Sequence, residues 1–268
     1  ALPILVNKLI SSYNHLLSSI NKLIQNNILH FDLKGTNILF DYDSKLPLII
    51  DFGLSSVIDL DNISDDQMKE IFYVFGPDYY IWPLEVHYMA YLINENSNPT
   101  DDDLIDIVKE FVDNNKGLIQ NFSPMFIKKY KEKSVNQLKF YNSFETFEER
   151  KKYIMGFWTT FDNYSLSIMY LKFIHFINTT GYTDNKFIIH FTELLLKNID
   201  PNPENRLDIS DTIQKFNGFL TQDIHVGIKV FKNLKKNFID DKKDIDKVLK
   251  KERKTGKIES LKIRKSMS

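Results

Sequence analysis

The sequence predicts a mainly α-helical chain with one small β-hairpin close to its first residues, an acidic body and a basic C-terminal tail. Three observations predict it. Apolar side chains recur at helical spacing over most of the length. Runs with strand character are few and early: "NILF" and "LPLIID", parted by the turn-rich "DYDSK". From Ile224 onward there are 15 Lys or Arg against 6 Asp or Glu, while the other residues hold 20 basic against 30 acidic. The net charge of −1 therefore hides two unlike parts.

The elements follow in chain order. Residues 8–25 carry Leu9, Ile10, Tyr13, Leu16, Leu17, Ile20, Leu23 and Ile24, the stripe of an amphipathic helix. The hairpin of "NILF" and "LPLIID" comes next, then a polar stretch over 59–70 with at most a short helix. In "YYIWPLEVHYMAYLI", Pro83 marks a helix start. "NENSNPTDD" breaks the pattern, and Thr100 with Asp103 three residues on opens a capped helix. Ser123 caps another, with Pro124 at its first position, and "SFETFEERKKYIM" reads as a third. Residues 156–196 are helical in period, interrupted near "TTGYTDN", and "DPNPENR" is a turn before a last short helix. The aromatic stripe from Phe157 to Phe176 reads as core. His15, His87, His175 and His190 lack metal-ligand spacing and read as packing residues.

Composition narrows the function classes. With 268 residues and 43% hydrophobic content the chain can bury a real core. It has no cysteine, which excludes disulfide and thiol chemistry and points to a reducing compartment, the cytoplasm. No apolar run is long enough to span a bilayer, so no transmembrane segment is expected. The near-zero net charge gives no global field for nucleic acid or membrane.

Chemistry concentrates in "HFDLKGTNILF", residues 30–40. Phosphoryl transfer needs a carboxylate to receive a hydroxyl proton, a cation near the moving phosphate and oxygen ligands for Mg²⁺. Asp32, Lys34 and Asn37 are residues of those types. "DFG", Asp51 to Gly53, begins fourteen residues after Asn37 with the hairpin between, and a hairpin there returns Asp51 to the side of Asn37.

These motifs resemble the C-terminal lobe of eukaryotic-type protein kinases, whose catalytic loop reads H-R-D-L-x-x-x-N and is followed by D-F-G and A-P-E. The resemblance implies ATP and Mg²⁺ as cofactors and a protein substrate. It implies Asp32 as catalytic base, Lys34 on the γ-phosphate, Asn37 and Asp51 on Mg²⁺, and His30 stacked with Phe52 ahead of Gly53. "WPLE" resembles A-P-E, with Glu85 as its acid. "DNYSL" resembles the start of the long central helix, where Asp162 would brace the catalytic loop. "DPNPENR" resembles the segment whose arginine, here Arg206, pairs with that glutamate. Taken singly, Glu85 and Arg206 read as solvated surface charges and Asp162 as an ordinary helix cap. Lys34 resembles the Ser/Thr branch, so the activity expected is that of a serine/threonine kinase. The mosaic resembles kinases of large DNA viruses or AT-rich protists, which would place it in the cytoplasm of a host or in a virion.

The departures carry their own expectations. Phe31 stands where the motif has arginine, and the central-helix glycine is Ser167. Pro77 stands where Ser/Thr kinases carry a threonine that contacts the catalytic aspartate, and one extra residue lies between Tyr80 and Glu85; both would alter substrate docking. The 77 residues from Glu85 to Asp162 exceed the family's connection. The expected organisation is a C-lobe over 1–92, a helical insertion over 93–155, the rest of the lobe over 156–220 and a basic helical tail over 221–268. A Gly-rich loop and its lysine would lie before His30, so the chain is expected to be the later part of a longer protein. In the tail, Ile228, Phe231, Leu234 and Phe238 alternate with lysines: one amphipathic helix and a solvated end, or an arm for an anionic partner. The rival functions are a non-catalytic, pseudokinase-like binding module and a small-molecule phosphotransferase of the aminoglycoside type.

Overall fold

A computed structural model describes residues 2–41, 43, 46–179 and 186–222. The apolar positions expected in the tail (Ile228, Phe231, Leu234 and Phe238) and most of "TTGYTDN" lie outside them. The described chain is mainly helical, in the order α1 (Leu2–Gln25), β1 (Ile28–Leu29), β2 (Ile38–Asp41), β3 (Leu46–Ile49), β4 (Ser56–Val57), α2 (Asp65–Ile71), α3 (Leu84–Asn94), α4 (Asp101–Asn114), α5 (Lys116–Ile119), α6 (Pro124–Asn142), α7 (Phe147–Met155), α8 (Phe161–Thr179), α9 (Lys186–Asn198) and α10 (Ile209–Gln222).

Local chemistry accounts for most of the boundaries. Leu9, Ile10, Tyr13, Leu16, Leu17 and Ile20 of α1 are all buried, and the helix gives way at Asn27, which takes the left-handed conformation that asparagine tolerates (φ 56°). Thr100 and Asp103 form a reciprocal capping box at α4, as do Thr146 and Glu149 at α7. Ser123 accepts from Phe126 N–H at α6, with Pro124 at the first position.

Two antiparallel pairs frame the early segment. β2 and β3 pair with Ile38 opposite Ile49 and Asp41 opposite Leu46, the hairpin the sequence predicts. The second pair was not expected: Ile28 and Leu29 of β1 lie opposite Val57 and Ser56 of β4. It closes the loop between them and fixes both ends of the site.

Helix α8 is the centre of the molecule. Its residues from Phe161 to Leu171 are all buried, as a helix apolar on every side requires. Its buried polar groups are satisfied: Ser165 Oγ donates to Ile81 O at 2.8 Å, and Ser167 Oγ accepts from Asn198 Nδ2 at 3.1 Å. α5 approaches so closely that a Cβ on Gly117 would sit 3.1 Å from Ile168 O. The stripe expected to be core is only partly so. Phe161, Tyr164 and Tyr170 are buried, but Phe173 and Phe176 are 45% and 57% exposed: in the last turns of α8 only the face of Ile174 and Ile177 is covered, and the two rings lie on another.

The segment from 93 to 155 shares its core with the rest of the described chain. α3 runs through the expected boundary to Asn94, and Leu104, Phe111, Leu138 and Ile154 belong to the same core cluster as α1 and α8. Its helix α6 ties Tyr130 Oη to Ile199 O at 2.7 Å.

Glu85 and Arg206, which taken singly read as surface charges, are both buried and face one another. Arg206 Nη1 and Nη2 donate to Glu85 Oε1 and Oε2 at 2.5 and 2.9 Å, Nε donates to Asp200 O at 2.8 Å, and the guanidinium lies 5.3 Å from the Tyr164 ring centre. Burial disfavours the guanidinium charge, but Glu85 outweighs it and raises the Arg206 pKa above its ordinary value. The sequence could not place the pair, because its members are 121 residues apart. Glu85→Gln leaves a buried guanidinium without its counter-charge, so denaturant unfolding is expected to lose about 3–5 kcal/mol. A loss below about 1 kcal/mol would show that the pair does not constrain the fold.

Candidate active site

The turn from His30 to Asn37 is held from three directions. From below, Asp162 of α8 accepts from His30 N–H through Oδ2 at 2.8 Å and from Phe31 N–H through Oδ1 at 3.0 Å. Asp162 is therefore no ordinary cap: both its oxygens serve another segment. Burial raises its pKa, and the two amides act against that rise. From the side, His30 Nδ1 accepts from Asp32 N–H at 3.3 Å, which leaves Nε2–H to donate to Ile50 O at 3.1 Å. Ser55 Oγ donates to His30 O at 3.1 Å, and the His30 and Phe52 rings meet edge to face at 4.9 Å.

The third hold is aromatic. Phe31, at the arginine position of the motif, is buried and stacks on Trp82 with centroids 4.9 Å apart at 20°. The Trp82 indole N–H donates to Phe31 O at 2.5 Å, and Phe72 meets Phe31 edge-on at 6.2 Å. Phe31 adopts φ 66° and Asp51 φ 62°, so two of the three left-handed non-glycine residues described lie in this site. The left-handed Phe31 is the residue whose amide meets Asp162.

Asp32 gathers the donors. Lys34 Nζ donates to Oδ1 and Oδ2 at 3.0 and 2.8 Å, Asn37 Nδ2 to Oδ2 at 2.8 Å and Tyr79 Oη to Oδ1 at 2.5 Å. Burial pushes the Asp32 carboxyl upward, but the bonds from Lys34, Tyr79 and Asn37 outweigh it and hold the pKa below its ordinary value. Asn37 Nδ2 also donates to Asp32 O at 2.9 Å, and its backbone carbonyl accepts from Ile50 N–H at 2.9 Å. The hairpin register thus places Asp51 one residue beyond the strand position facing Asn37. Asp51 is exposed, its Oδ1 accepting from Gly53 N–H at 3.3 Å.

Asn37 and Asp51 are oxygen donors of the kind Mg²⁺ takes. The Asn37 amide nitrogen is committed to Asp32 and its Oδ1 accepts from Thr36 Oγ1 at 3.5 Å, with a second lone pair left, while Asp51 is exposed at the end of the hairpin. Among the described residues no three His, Asp or Glu gather as a metal cage, so an ion here would complete its shell from phosphate and water, as Mg²⁺ commonly does.

Tyr79 is the residue that sequence reasoning missed. Pro77 suggested that the hydroxyl contact to Asp32 is lost; instead a phenol two residues on supplies it, its ring 4.9 Å from Trp82 and 5.8 Å from Lys34 Nζ. Only the run "DYY" hinted at it, and nothing in the spacing says which tyrosine turns inward. His87 is a packing residue as expected: it lies between Trp82 and Phe111 at 5.9 and 5.4 Å, and burial lowers its pKa to about 3.

Compared with known proteins, the chain matches no family model and no curated protein.

The pKa direction at Asp32 has a testable sign. Its carboxyl is expected to titrate below the ordinary value of about 3.9. The stability it contributes is present above that value and is lost as pH falls through the lower folded one. Tyr79→Phe removes one donor and is expected to raise the midpoint, read as the ¹³Cγ shift of Asp32 against pH. An unmoved midpoint would show that the phenol does not hold the carboxylate.

Proposed function

We propose that this chain is the catalytic half of an ATP-dependent phosphotransferase of the protein-kinase type, acting on serine or threonine of a protein substrate. The observation that carries the reading is the Asp32 carboxylate, kept ionised by Lys34, Asn37 and Tyr79, one hairpin away from Asp51. In this reading the acceptor hydroxyl binds at Asp32, which takes its proton as the oxygen attacks the γ-phosphorus and ADP leaves. Lys34 now occupies two acceptor sites of Asp32. Its turn toward the γ-phosphate would neutralise charge there and free a lone pair for the hydroxyl in the same movement. Asn37 and Asp51 would hold Mg²⁺, which would supply positive charge against the phosphates. Asp162, His30 and the Phe31–Trp82 stack position the turn and touch no substrate.

Phosphates need donors on their other side as well. The face around Asp51 leaves Leu39, Leu48, Phe52 and Leu54 between 36% and 54% exposed, the kind of surface that a second, nucleotide-covering body buries. A non-catalytic binding module is the second reading, favoured by one observation: the four hydrogen bonds on Asp32 already fill its carboxylate.

Transfer of γ-³²P to serine and threonine peptides distinguishes the two, tested with the chain alone and with the product of the whole reading frame to which it belongs. Asp32→Asn is expected to lower turnover by about 10²–10⁴, and Asp51→Ala to abolish Mg²⁺-dependent nucleotide binding. Undiminished rates in either variant sink the assignment. No transfer by any form favours the binding module.

A further inference from the structure

A cavity of about 730 Å³ opens beside the catalytic turn, and the proposed reaction leaves its role unassigned. Its lining includes Lys34, Gly35 and Thr36, so one wall begins two residues from Asp32. The rest comes from Leu9 of α1, Tyr80 and Ile81, and the last turns of α8, where Met169, Phe173 and Phe176 make it apolar. Phe173 and Phe176 are the two rings of α8 expected in the core and found 45% and 57% exposed. Rings left at the surface beside a reactive turn need a reason other than folding.

Charge narrows what the cavity takes. The lining holds two lysines and no carboxylate. Lys34 is committed to Asp32, whereas Lys172 is exposed, sits 5.9 Å from the Tyr80 ring centre, and has no carboxylate partner among the described residues. A cation at the rim of an apolar wall favours an anionic group whose neighbour is apolar, and low polarity around the pair strengthens their attraction. The volume is that of a small-ligand site, which roughly two or three residues of a peptide would fill.

We propose that this cavity selects the protein substrate: it receives a segment beside the acceptor hydroxyl that carries an aspartate or glutamate, bound by Lys172, next to a bulky apolar side chain laid on Phe173 and Phe176. The inference rests on the phosphotransfer reading, which places the acceptor at Asp32. An extended chain advances about 3.3–3.6 Å per residue, so the selected side chains lie within a few residues of the acceptor. A basic segment is rejected, because it would set a second cation beside Lys172 on an apolar wall.

The test uses the 268-residue chain and two labelled serine peptides, one with glutamate and phenylalanine flanking the acceptor, the other with lysine in place of glutamate. By fluorescence anisotropy the acidic peptide is expected to bind about tenfold more tightly, a difference that shrinks as salt is raised. Lys172→Glu is expected to cancel or invert the preference, and Phe176→Ser to weaken both peptides severalfold; circular dichroism checks that both variants fold. Equal binding of the two peptides, or a preference that survives Lys172→Glu, overturns the inference. Phosphate transfer to the same peptides by the whole-frame product separates the two levels. Transfer without charge preference defeats the cavity's role and leaves the reaction standing. Charge-selective binding with no transfer defeats the reaction and leaves a binding site.

Discussion

The site depends on one buried carboxylate. The Asp162 carboxylate is met by two backbone amides of a turn 131 and 132 residues away in the chain. A hydrogen bond to a charged group contributes about 1.5–3 kcal/mol, and a residue held in a sparsely populated conformation costs about 1–3 kcal/mol. Two such bonds are comparable in size to the cost of the left-handed backbone of Phe31, while burial of the carboxylate works against them. Without the carboxylate the His30 and Phe31 amides lose their acceptors, and the Phe31–Trp82 contacts and the His30 bonds alone hold the turn that carries Asp32.

The same turn of α8 carries the other long-range ties. Thr160, just before Asp162, accepts from Arg206 Nη1 at 3.3 Å, and Ser165 donates to Ile81 O. Within six residues the start of α8 and the residue before it thus meet the turn that carries Asp32, the Glu85–Arg206 pair and the segment that carries Tyr79. Tyr130 of α6 donates to Ile199 O at 2.7 Å, and Tyr141 is buried in the same core cluster, so the long connection between Glu85 and Asp162 packs with the rest of the described chain. A region that roofs a buried charge cannot drift as an appendage, because opening it would expose an arginine and a glutamate whose pairing relies on exclusion of water.

Sequence carried the site's residue types and the local elements, because both are set over short distances. Thr100 with Asp103 and Thr146 with Glu149 announce their helices through contacts three residues long. Asp32, Asn37 and Asp51 stand at spacings that a hairpin folds together. What stayed hidden was decided by partners far away. Glu85 and Arg206 are ordinary charged residues until their burial is known. Phe173 and Phe176 alternate with the buried Ile174 and Ile177 on a helix with little apolar asymmetry, and periodicity cannot say which face of such a turn is left uncovered. Tyr79 is one of two adjacent tyrosines, and the loop's tertiary path alone chooses it.

Phe31, at the position where the resembled motif has arginine, bears on what holds the segment from Phe72 to Trp82. A guanidinium at that position attracts an anion and is screened by salt. Phe31 instead stacks on Trp82, which touches Tyr73, Tyr79 and His87 in turn. Pairs of this kind are worth about 0.5–1.5 kcal/mol each beyond the area they bury, and they do not weaken as ionic strength rises. The charged contact nearby, Lys151 on α7 with Asp65 of α2 at 3.3 Å, involves a largely exposed carboxylate and adds little. The segment that brings the Tyr79 hydroxyl to Asp32 is therefore held by an aromatic network already complete in the structure. Aromatic packing on one side and the Asp162 carboxylate on the other thus set where Asp32 and Tyr79 meet.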